Sequence, residues 1–347
     1  MKLIRPIILM LAASLLLCSV SCGRRDEPKS KTYYEYFDTV CYISSYREGE
    51  SEEDFLAVCS SLEEVMDRYN RLLDIYREYE GVNNLATVNK NAGVAPVKVS
   101  PELIELLSYG KYICELTDGE VNIAMGAVLS LWHESREAAE RGNAAIPEKG
   151  ELEAASAHIS IDSIEIDGEN MTVYINDPKT SVDVGAVGKG YVAEVCARML
   201  EERGISSYVL NFGGNIRVIG EKPDGDGWVT GITDPQDRDG GFATRVTLAD
   251  TSCVTSGSYQ RYFTVGDKSY HHIIDKDTLY PAEYFTSVSV ICRDSALADV
   301  LSTALFSMPY EDGLALCRRL DGVEAIWIRA DGTMLVTDGI ETISVNG

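Results

Sequence analysis

A carboxylate and a hydroxyl lie four residues apart in the sequence, at Asp299 and Thr303. On a helix this spacing places both side chains on one face. The residues around them are almost all apolar, so a charge within this run requires a partner. Two interpretations stay open. Asp299 is either an acid stabilised by the dipole near a helix N-terminus or part of an oxygen site for Mg²⁺, which takes one or two protein carboxylates together with water and substrate phosphates.

A glycine-rich turn at residues 183–191 lies between a β-rich run and a helical run. Its three glycines lack a Cβ, so backbone N–H groups can approach a phosphate closely. Asp183 and Lys189 add one acid and one base at the rims of the turn. The turn matches neither the Walker motif nor the dinucleotide fingerprint, and a tight strand-to-helix turn without a ligand is the alternative interpretation.

Two adjacent histidines, His271 and His272, lie at the end of a predicted strand and are followed by the carboxylate of Asp275. Neighbouring residues of a strand project to opposite faces, so at most one of these histidines faces a given pocket. A surface histidine beside a loop is one interpretation, and a histidine that faces a phosphate and acts as a general acid or base is the other. The four histidines of the chain have no HxxxH spacing, which argues against a structural zinc site.

The elements that must position these residues alternate irregularly between helices and strands. The strand patterns include residues 33–46, which contain Phe37, and a hairpin that turns at residues 167–170. This mixture of long helices and antiparallel strands predicts an α+β fold rather than a doubly wound parallel sheet. Helical patterns occupy residues 52–76, 100–117, 136–154, 191–203, 295–306 and 310–319.

The composition describes an acidic globular protein. The chain has 347 residues, of which 45% are hydrophobic and 25% charged, and this is enough to bury a sizeable core. Its formal net charge of −24 argues against nucleic-acid binding, which requires a basic surface. Any phosphate site must therefore be arranged locally, by backbone N–H groups or by a metal.

The N-terminus has the pattern of an export signal. Lys2 and Arg5 precede an apolar run at residues 7–20, which is too short for a permanent membrane span. Small residues then precede Cys22, in a pattern that resembles a bacterial lipobox. We predict a signal peptide at residues 1–21, lipidation of Cys22, a flexible tether at residues 22–32 and one domain at residues 33–347. An ordinary secretory signal, with Cys22 unmodified, is the alternative.

The remaining cysteines do not have the spacing of a disulfide framework. Apart from Cys18 in the leader and Cys22, the chain has an odd number of them and no CxxC motif. We expect them to be small apolar residues of the core. They are Cys41, Cys59, Cys114, Cys196, Cys253, Cys292 and Cys317.

The order of these motifs along the chain resembles the ApbE family, the FAD:protein FMN transferases. No single motif carries the resemblance, which runs from about Tyr33 to the end of the chain. The matching stretches are residues 37–39, 119–132, 183–191, 211–220, 255–259, 272–281 and 298–303.

The resemblance implies a T-fold-like α+β architecture with antiparallel sheets and packed helices, which binds FAD in a cleft together with Mg²⁺ or Mn²⁺. The implied reaction transfers the FMN half of FAD to a Thr or Ser hydroxyl of an exported redox protein and releases AMP. Carried over by position, the metal ligands are Asp299, Thr303 and the backbone oxygen of Ala186, and His272 is the candidate acid or base. The implied flavin and adenine contacts are Phe37, Tyr79 (with Tyr76 as the alternative), Glu120, Val121, Asn122, Asp183, Lys189 and Ile274.

Some positions differ from the common family pattern. Lys276 and Leu279 occupy positions where many members have Pro and Gly, Phe37 one where many have Met, and Asn122 one where Asp is frequent. We predict a lipid-anchored FMN transferase on the extracytoplasmic face of a bacterial membrane, whose partners are FAD and exported FMN-accepting redox proteins. The alternatives are a metal-dependent FAD pyrophosphatase, which would give AMP and free FMN, and a non-catalytic flavin-binding lipoprotein.

Overall fold

The computed structural model describes residues 27–237, 240–340 and 342–343. The predicted signal peptide and the predicted lipidation site at Cys22 lie outside these residues. No helix in the described ranges has both the length and the apolar character needed to cross a bilayer.

The helices begin at side-chain caps that the sequence pattern indicates. Ser51 and Asp294 each accept a backbone N–H at 3.0 Å with a side-chain oxygen. Pro101 occupies the first turn of its helix, where no N–H donor is needed. The helices are α1 (Glu52–Leu73), α2 (Leu85–Lys90), α3 (Pro101–Leu116), α4 (Gly126–Glu140), α5 (Lys149–Ser156), α6 (Gly188–Glu202), α7 (Ser295–Phe306) and α8 (Tyr310–Arg319).

The strands are short, and each pairs antiparallel with the strands beside it in its sheet. They are β1 (Lys29–Tyr33), β2 (Cys41–Ser45), β3 (Val97–Lys98), β4 (Ile164–Asp167), β5 (Thr172–Ile175), β6 (Tyr208–Phe212), β7 (Asn215–Ile219), β8 (Trp228–Thr233), β9 (Phe242–Leu248), β10 (Ser252–Gly257), β11 (Tyr262–Val265), β12 (Lys268–His271), β13 (Ser287–Cys292), β14 (Glu324–Ile328), β15 (Met334–Val336) and β16 (Thr342–Ile343).

An eight-stranded antiparallel sheet organises the molecule, in the order β1-β2-β6-β7-β10-β13-β14-β15. At its centre Val254 of β10 pairs with Asn215 of β7 on one side and with Val290 of β13 on the other. Helices α6 and α7 pack on each other and on these central strands. The smaller sheets are β16-β9-β8, β3-β5-β4 and the hairpin β11-β12.

Three apolar clusters follow from this arrangement. The largest lies between the eight-stranded sheet and helices that include α1, α3, α6 and α7. A second cluster, with Trp228 and Ile326, lies between that sheet and the strands β8 and β9. A third joins α4 to the β11–β12 hairpin through Trp132 and Phe263. The predicted α+β fold class is therefore confirmed.

The prediction of one strand at residues 33–46 is wrong. β1 ends at Tyr33 and β2 begins at Cys41, and a loop of residues 34–40 joins them. Phe37 and Asp38 in this loop have φ angles of +55° and +50°, which a strand does not accommodate. β1 also starts at Lys29, inside the predicted tether, so the folded chain begins earlier than we predicted.

The helical insertion predicted at residues 136–154 is two helices rather than one. α4 begins at Gly126 and ends at Glu140, and α5 begins at Lys149. Gly142 has a φ of +88° and Pro147 follows, and neither continues a helix. The helix predicted from residue 191 starts earlier, at Gly188, because the Gly188 N–H already donates to the Val184 carbonyl.

Candidate active site

The N-terminal end of α6 contacts α7 at Gly190 and Asp299. The Gly190 N–H donates to Asp299 Oδ2 at 2.7 Å, and Asp299 is only 4% exposed. A Cβ on residue 190 would lie 2.3 Å from the Asp299 Cβ, so only glycine permits this approach. This contact joins the predicted glycine turn to the predicted Asp–Thr helix.

The backbone carbonyl of Ala186 has no hydrogen-bond partner in the described chain. In a regular helix the Gly190 N–H would donate to this carbonyl, four residues earlier. Here it donates to the Asp299 carboxylate instead, and no other described residue donates to the Ala186 oxygen. Because Gly190 donates to Asp299 instead, the backbone oxygen of the half-buried Ala186 is left without a donor beside α6.

Thr303 lies one turn beyond Asp299 on α7 and is half-buried. Its Oγ1 is 3.3 Å from the Asp299 backbone oxygen and 3.3 Å from the Ser256 hydroxyl at the end of β10. Ser256 also contacts the Ser302 hydroxyl at 2.8 Å. The central sheet and α7 thus meet in a hydroxyl-rich contact next to Asp299.

Lys189 lies beside the buried carboxylate. Its Nζ is 3.9 Å from Asp299 Oδ2, and its side chain is partly exposed. The same ammonium group is among the positive charges that lower the pKa of His272. Lys189 therefore connects the Asp299 end of the site to the histidine.

These residues fit a hard divalent cation. The Ala186 carbonyl, the Asp299 carboxylate and the Thr303 hydroxyl are the oxygen donors that Mg²⁺ prefers. Only one of the two Asp299 carboxylate oxygens, Oδ2, contacts a donor in the described chain, so Oδ1 remains available. No cluster of three or more His, Cys, Asp and Glu side chains suited to a metal exists among the described residues, so water or a substrate oxygen would complete the ligand set.

His272 has one ring nitrogen engaged and one available. Its Nδ1 lies 3.2 Å from the backbone oxygen of Arg261. A carbonyl only accepts, so Nδ1 carries the proton and Nε2 is left as an acceptor. Loss of hydration in the cleft, followed by the positive charges of Arg261 and Lys189, lowers the pKa of His272 to about 3. The ring is therefore neutral near pH 7, and its Nε2 carries a free lone pair.

His271 has a different environment, although it is the neighbouring residue. Its Nε2 donates to the Ala282 carbonyl at 2.9 Å, and its Nδ1 accepts the Ile273 N–H at 3.3 Å. Its ring packs edge-on against Phe306. Both nitrogens are thus used inside the protein. The strand ends at His271, three residues before Ile274, where the sequence pattern predicted its end.

A cleft lies between α4 and the β11–β12 hairpin, and His272 forms part of its wall. Apolar side chains of the third cluster form one part of the lining, and basic side chains form the other. The lining residues include Trp132, His133, Arg136, Arg261, Phe263 and His272.

The loop that carries Phe37 is joined to this cleft by Arg261. The Arg261 Nη2 donates to the Asp38 carbonyl at 2.9 Å. The Phe37 N–H donates to Asn70 Oδ1 at 3.0 Å, and the Phe37 ring stacks on Phe212 at a centroid distance of 6.3 Å. A predicted flavin contact therefore lies in a loop held from two sides.

Of the two candidate tyrosines, the structure brings Tyr76 to the cleft. The exposed Tyr76 hydroxyl contacts His133 Nδ1 at 2.8 Å. Tyr79 instead donates to Asp74 Oδ2 at 2.8 Å, and its ring lies near Arg71. Tyr79 therefore contacts none of the other predicted site residues, and the spacing of the tyrosines in the sequence did not separate them.

The segment with Glu120, Val121 and Asn122 is anchored next to the glycine turn. The Asp183 N–H donates to the Ile123 carbonyl at 2.9 Å, and the Asp183 carboxylate accepts the Gly185 N–H at 2.8 Å. Val121 is buried. The Asn122 side chain donates to the Ile159 carbonyl at 2.8 Å, so its amide holds the segment in place.

Glu120 is paired with a residue that departs from the family pattern. Lys276 Nζ lies 3.4 Å from Glu120 Oε1. Burial raises the pKa of the Glu120 carboxyl to about 7, although Lys276 opposes the shift. The ammonium group thus stands beside a carboxyl that is partly protonated near neutral pH.

The same loop contains Leu279 in a glycine-like conformation. Leu279 has a φ of +63°, and its buried side chain packs with Ile274 in the third cluster. The Trp132 indole N–H donates to the Leu279 carbonyl at 2.9 Å. Packing and this hydrogen bond therefore hold a conformation that a leucine adopts only with strain.

The structure thus divides the predicted site residues into several groups, and some of these groups are linked by contacts. Contacts join Lys189, Asp299 and Thr303, the Ala186 carbonyl lies one turn before Gly190, which contacts Asp299, and the charge of Lys189 acts on His272. The sequence analysis gave Tyr76 only as the alternative to Tyr79, and it assigned no role in the site to four further residues of this region. No spacing pattern marks these four residues, because they come together only in the fold. They are His133, Arg136, Ser256 and Arg261.

Comparisons with known proteins agree with this architecture. A family model described as the ApbE family matches residues 37–327. The FAD:protein FMN transferase of Treponema pallidum is 32% identical over 342 residues, which cover 94% of this chain and 92% of that protein. A protein of the same description from Klebsiella pneumoniae is 28% identical, over 81% of this chain and 85% of its own length.

Solved structures have the same fold. The crystal structure of the ApbE protein of Thermotoga maritima matches with a TM-score of 0.78 at 25% identity, over 90% of this chain and 97% of that one. The flavin transferase ApbE of Vibrio cholerae matches with a TM-score of 0.73 at 23% identity, over 90% and 96% of the two chains. The second likeness concerns the fold alone.

Proposed function

The chain belongs to the ApbE family, and on that premise we propose that it is an FAD:protein FMN transferase. The observation that carries the proposal is the contact between the glycine turn and α7. This contact leaves the Ala186 carbonyl free and brings Lys189 next to Asp299. It supports a site for an anionic, phosphate-bearing substrate in a chain whose net charge is −24.

We propose Mg²⁺ as the bound cation, held by the Asp299 carboxylate, the Thr303 hydroxyl and the Ala186 carbonyl. When bound, a divalent ion neutralises charge on the substrate diphosphate and stabilises the phosphate that leaves. Lys189 adds a positive charge on the same side. Its ammonium group would orient the diphosphate against the N-terminal end of α6.

The acceptor hydroxyl is the nucleophile of the proposed reaction. Its oxygen bonds to the phosphorus of the FMN half, and the bond from this phosphorus to the bridging oxygen breaks. AMP leaves with that electron pair. His272 Nε2 takes the hydroxyl proton, since its Nδ1 is held by the Arg261 backbone and the neutral ring can accept.

The acceptor and the cellular location are further parts of the proposal. We propose that the acceptor is a Thr or Ser of an exported redox protein and that Cys22 carries a lipid on the outer face of the cell membrane. The apolar run and the small residues before Cys22 support this location. Replacing Cys22 with Ser should move the protein from the membrane fraction to the soluble fraction, and retention in the membrane would contradict lipid anchoring.

Transfer is tested with the purified protein, FAD, Mg²⁺ and an exported flavoprotein domain that has an acceptor threonine. We expect covalent flavin on the domain, seen by in-gel fluorescence and intact mass, together with one AMP per flavin. The same domain with Thr→Ala is the matched control and should stay unlabelled. Free FMN without labelled acceptor would favour the pyrophosphatase, and bound FAD without turnover would favour the flavin-binding lipoprotein.

A further inference from the structure

Two arginines line the cleft without a carboxylate partner. Arg136 projects from α4 and is half-buried, and Arg261 immediately precedes β11. Within the described ranges, no Asp or Glu oxygen lies within 4.0 Å of either guanidinium. The fully buried Arg217 behaves differently, because three carboxylates lie within that distance of it. They belong to Glu194, Glu201 and Asp250.

Most hydrogen-bond donors of the two arginines are unused. A guanidinium has five N–H donors. The Arg261 side chain uses Nη2 to donate to the Asp38 carbonyl at 2.9 Å, and the Arg136 guanidinium donates to no residue in the described chain. Two cations with free donors thus line one cleft of a chain whose net charge is −24.

The two positive charges also repel each other. Loss of hydration in the cleft, and then the charge of Arg136, lower the pKa of the Arg261 guanidinium. The carboxylate of Asp38 offsets this only in part, since it does not pair with Arg261. An anion placed between the guanidiniums would remove the repulsion and satisfy the free donors.

We propose that Arg136 and Arg261 form an anion site that binds phosphate oxygens of the nucleotide substrate, as a second anchor separate from the Asp299–Thr303 group. The planar guanidinium fork matches phosphate geometry better than a lysine does. The identity of the nucleotide as FAD rests on the proposed function. The anion site itself rests on the geometry of the cleft.

Arg261 also contacts two other parts of the site. Its backbone oxygen holds His272 Nδ1 at 3.2 Å, and its side chain holds the loop of Phe37 through the Asp38 carbonyl. A phosphate bound by its guanidinium would thus be aligned with both the proton acceptor and the predicted flavin contact. Arg136 makes neither of these contacts. Arg136 would therefore only bind the phosphate, whereas Arg261 would bind it and also align it with His272 and Phe37.

The test is isothermal titration of the full-length protein, in the presence of Mg²⁺, with FAD, AMP and riboflavin. The variants are Arg136→Gln and Arg261→Gln, and the matched control is Arg245→Gln, an exposed arginine of β9 beside Phe242. Each cleft variant should raise the Kd for FAD and AMP about tenfold, because a charge-assisted hydrogen bond is lost. Riboflavin, which has no phosphate, should bind all proteins equally, and the control should match the wild type.

Unchanged FAD and AMP affinity in both cleft variants would overturn the anion site, as would a wild type that binds riboflavin as tightly as FAD. An equal loss for FAD and riboflavin would also overturn it, since the arginines would then act on the flavin ring. If Arg261→Gln does not fold, Arg136→Gln decides alone, because the Arg136 side chain has no hydrogen bond in the described chain to lose. Failure of the proposed function would give a different result. Nucleotide binding would still be weaker in the arginine variants than in the wild type, but the wild type would put no covalent flavin on the acceptor.

Discussion

At the scale of single residues, two neighbouring histidines show how hydrogen bonding determines chemical role. His271 uses both ring nitrogens inside the protein, whereas His272 has one nitrogen held by a carbonyl and the other available. The pKa of both histidines is lowered, and loss of hydration is the main cause in each case. Only His272 therefore combines a neutral ring with a free acceptor facing the cleft.

Replacing His272 with Gln should lower kcat for FMN transfer by about 10²–10⁴-fold, because a positioned general base is lost. The Kd for FAD should change little. His158→Gln is the matched control, since His158 pairs with Asp177 at 2.6 Å and does not line the cleft. Steady-state rates with a saturating acceptor measure the effect. A His272→Gln protein as active as the His158 variant would exclude His272 as the base.

Glu120 should make stability depend on pH in a defined direction. Burial raises the pKa of its carboxyl in the folded state from 4.5 to about 7. The folded chain then binds more protons than the unfolded chain between these values. The stability contributed by this group is full below pH 4.5 and is lost as the pH rises through about 7.

The Glu120→Gln variant should therefore gain in Tm relative to wild type as the pH rises from about 5 to 8. Thermal unfolding by circular dichroism without ligands measures this difference. Glu115→Gln, an exposed carboxyl of α3, is the control and should follow the wild type. Parallel Tm curves for wild type and Glu120→Gln would contradict the assignment.

At the scale of elements, the contact between α6 and α7 builds the site. The helix α6 has no side-chain cap of its own, and Asp299 of α7 accepts one of its first N–H groups. This inter-helix cap frees the Ala186 carbonyl, which the helix would otherwise use. The close approach depends on the missing side chain at Gly190.

Gly190→Ala should destabilise the protein by about 1–3 kcal/mol, because the new methyl group overlaps Asp299 and the Ser295 carbonyl. Gly150→Ala in α5 is the matched control, since a Cβ there meets no atom within 4 Å. This exposed helical glycine should gain about 0.5–1 kcal/mol on the same substitution. Urea unfolding of both variants gives the comparison. Equal effects at the two sites would show that the helix contact is loose.

Thr303→Val, which keeps the side-chain shape but removes the hydroxyl, should weaken Mg²⁺ binding at least about tenfold. Thr303→Ser retains the oxygen and should stay near the wild type. Calorimetric titration with Mg²⁺ measures binding independently of turnover. A valine variant that binds Mg²⁺ normally would remove Thr303 from the proposed ligands.

At the scale of the whole molecule, net charge and local charge have opposite signs. The chain carries −24, yet Arg136 and Arg261 line one cleft and Lys189 adds a positive charge that acts on His272. Screening by water and salt limits long-range repulsion between the acidic surface and a nucleotide. Short-range geometry therefore decides what this cleft binds.

The absence of disulfides in the described chain is a second property of the whole molecule. All seven of its cysteines are buried and free, as the cysteine spacing predicted. Burial raises the pKa of thiols such as Cys41 and Cys253 to about 12. These groups are thus inert as well as inaccessible in the native state.

A reducing agent should therefore leave the Tm unchanged within error. Iodoacetamide should modify none of the seven thiols in the native protein and all of them after denaturation. Intact mass spectrometry counts the adducts. A drop in Tm on reduction, or fast native alkylation, would show that at least one of these thiols is paired or exposed.

Local patterns predicted most elements because their signals lie within a few residues. The hairpin at β4 and β5 and the helices α7 and α8 follow their turn, cap and apolar patterns. The strand through Phe37 was mispredicted, because the positive φ angles there depend on contacts with Asn70 and Arg261. A pattern read along the chain contains no information about those partners.

The sequence by itself determined the fold class, the likeness to a family, the buried state of the cysteines and the residue types available for chemistry. These follow from periodicity, composition and motif order, which are properties of neighbours along the chain. Only the tertiary structure decided that Tyr76 rather than Tyr79 contacts the cleft, that the Ala186 carbonyl is free, and that Arg136 and Arg261 line the same cleft. Each of these depends on distances between segments far apart in sequence, and such distances are set when helices and sheets pack into one core.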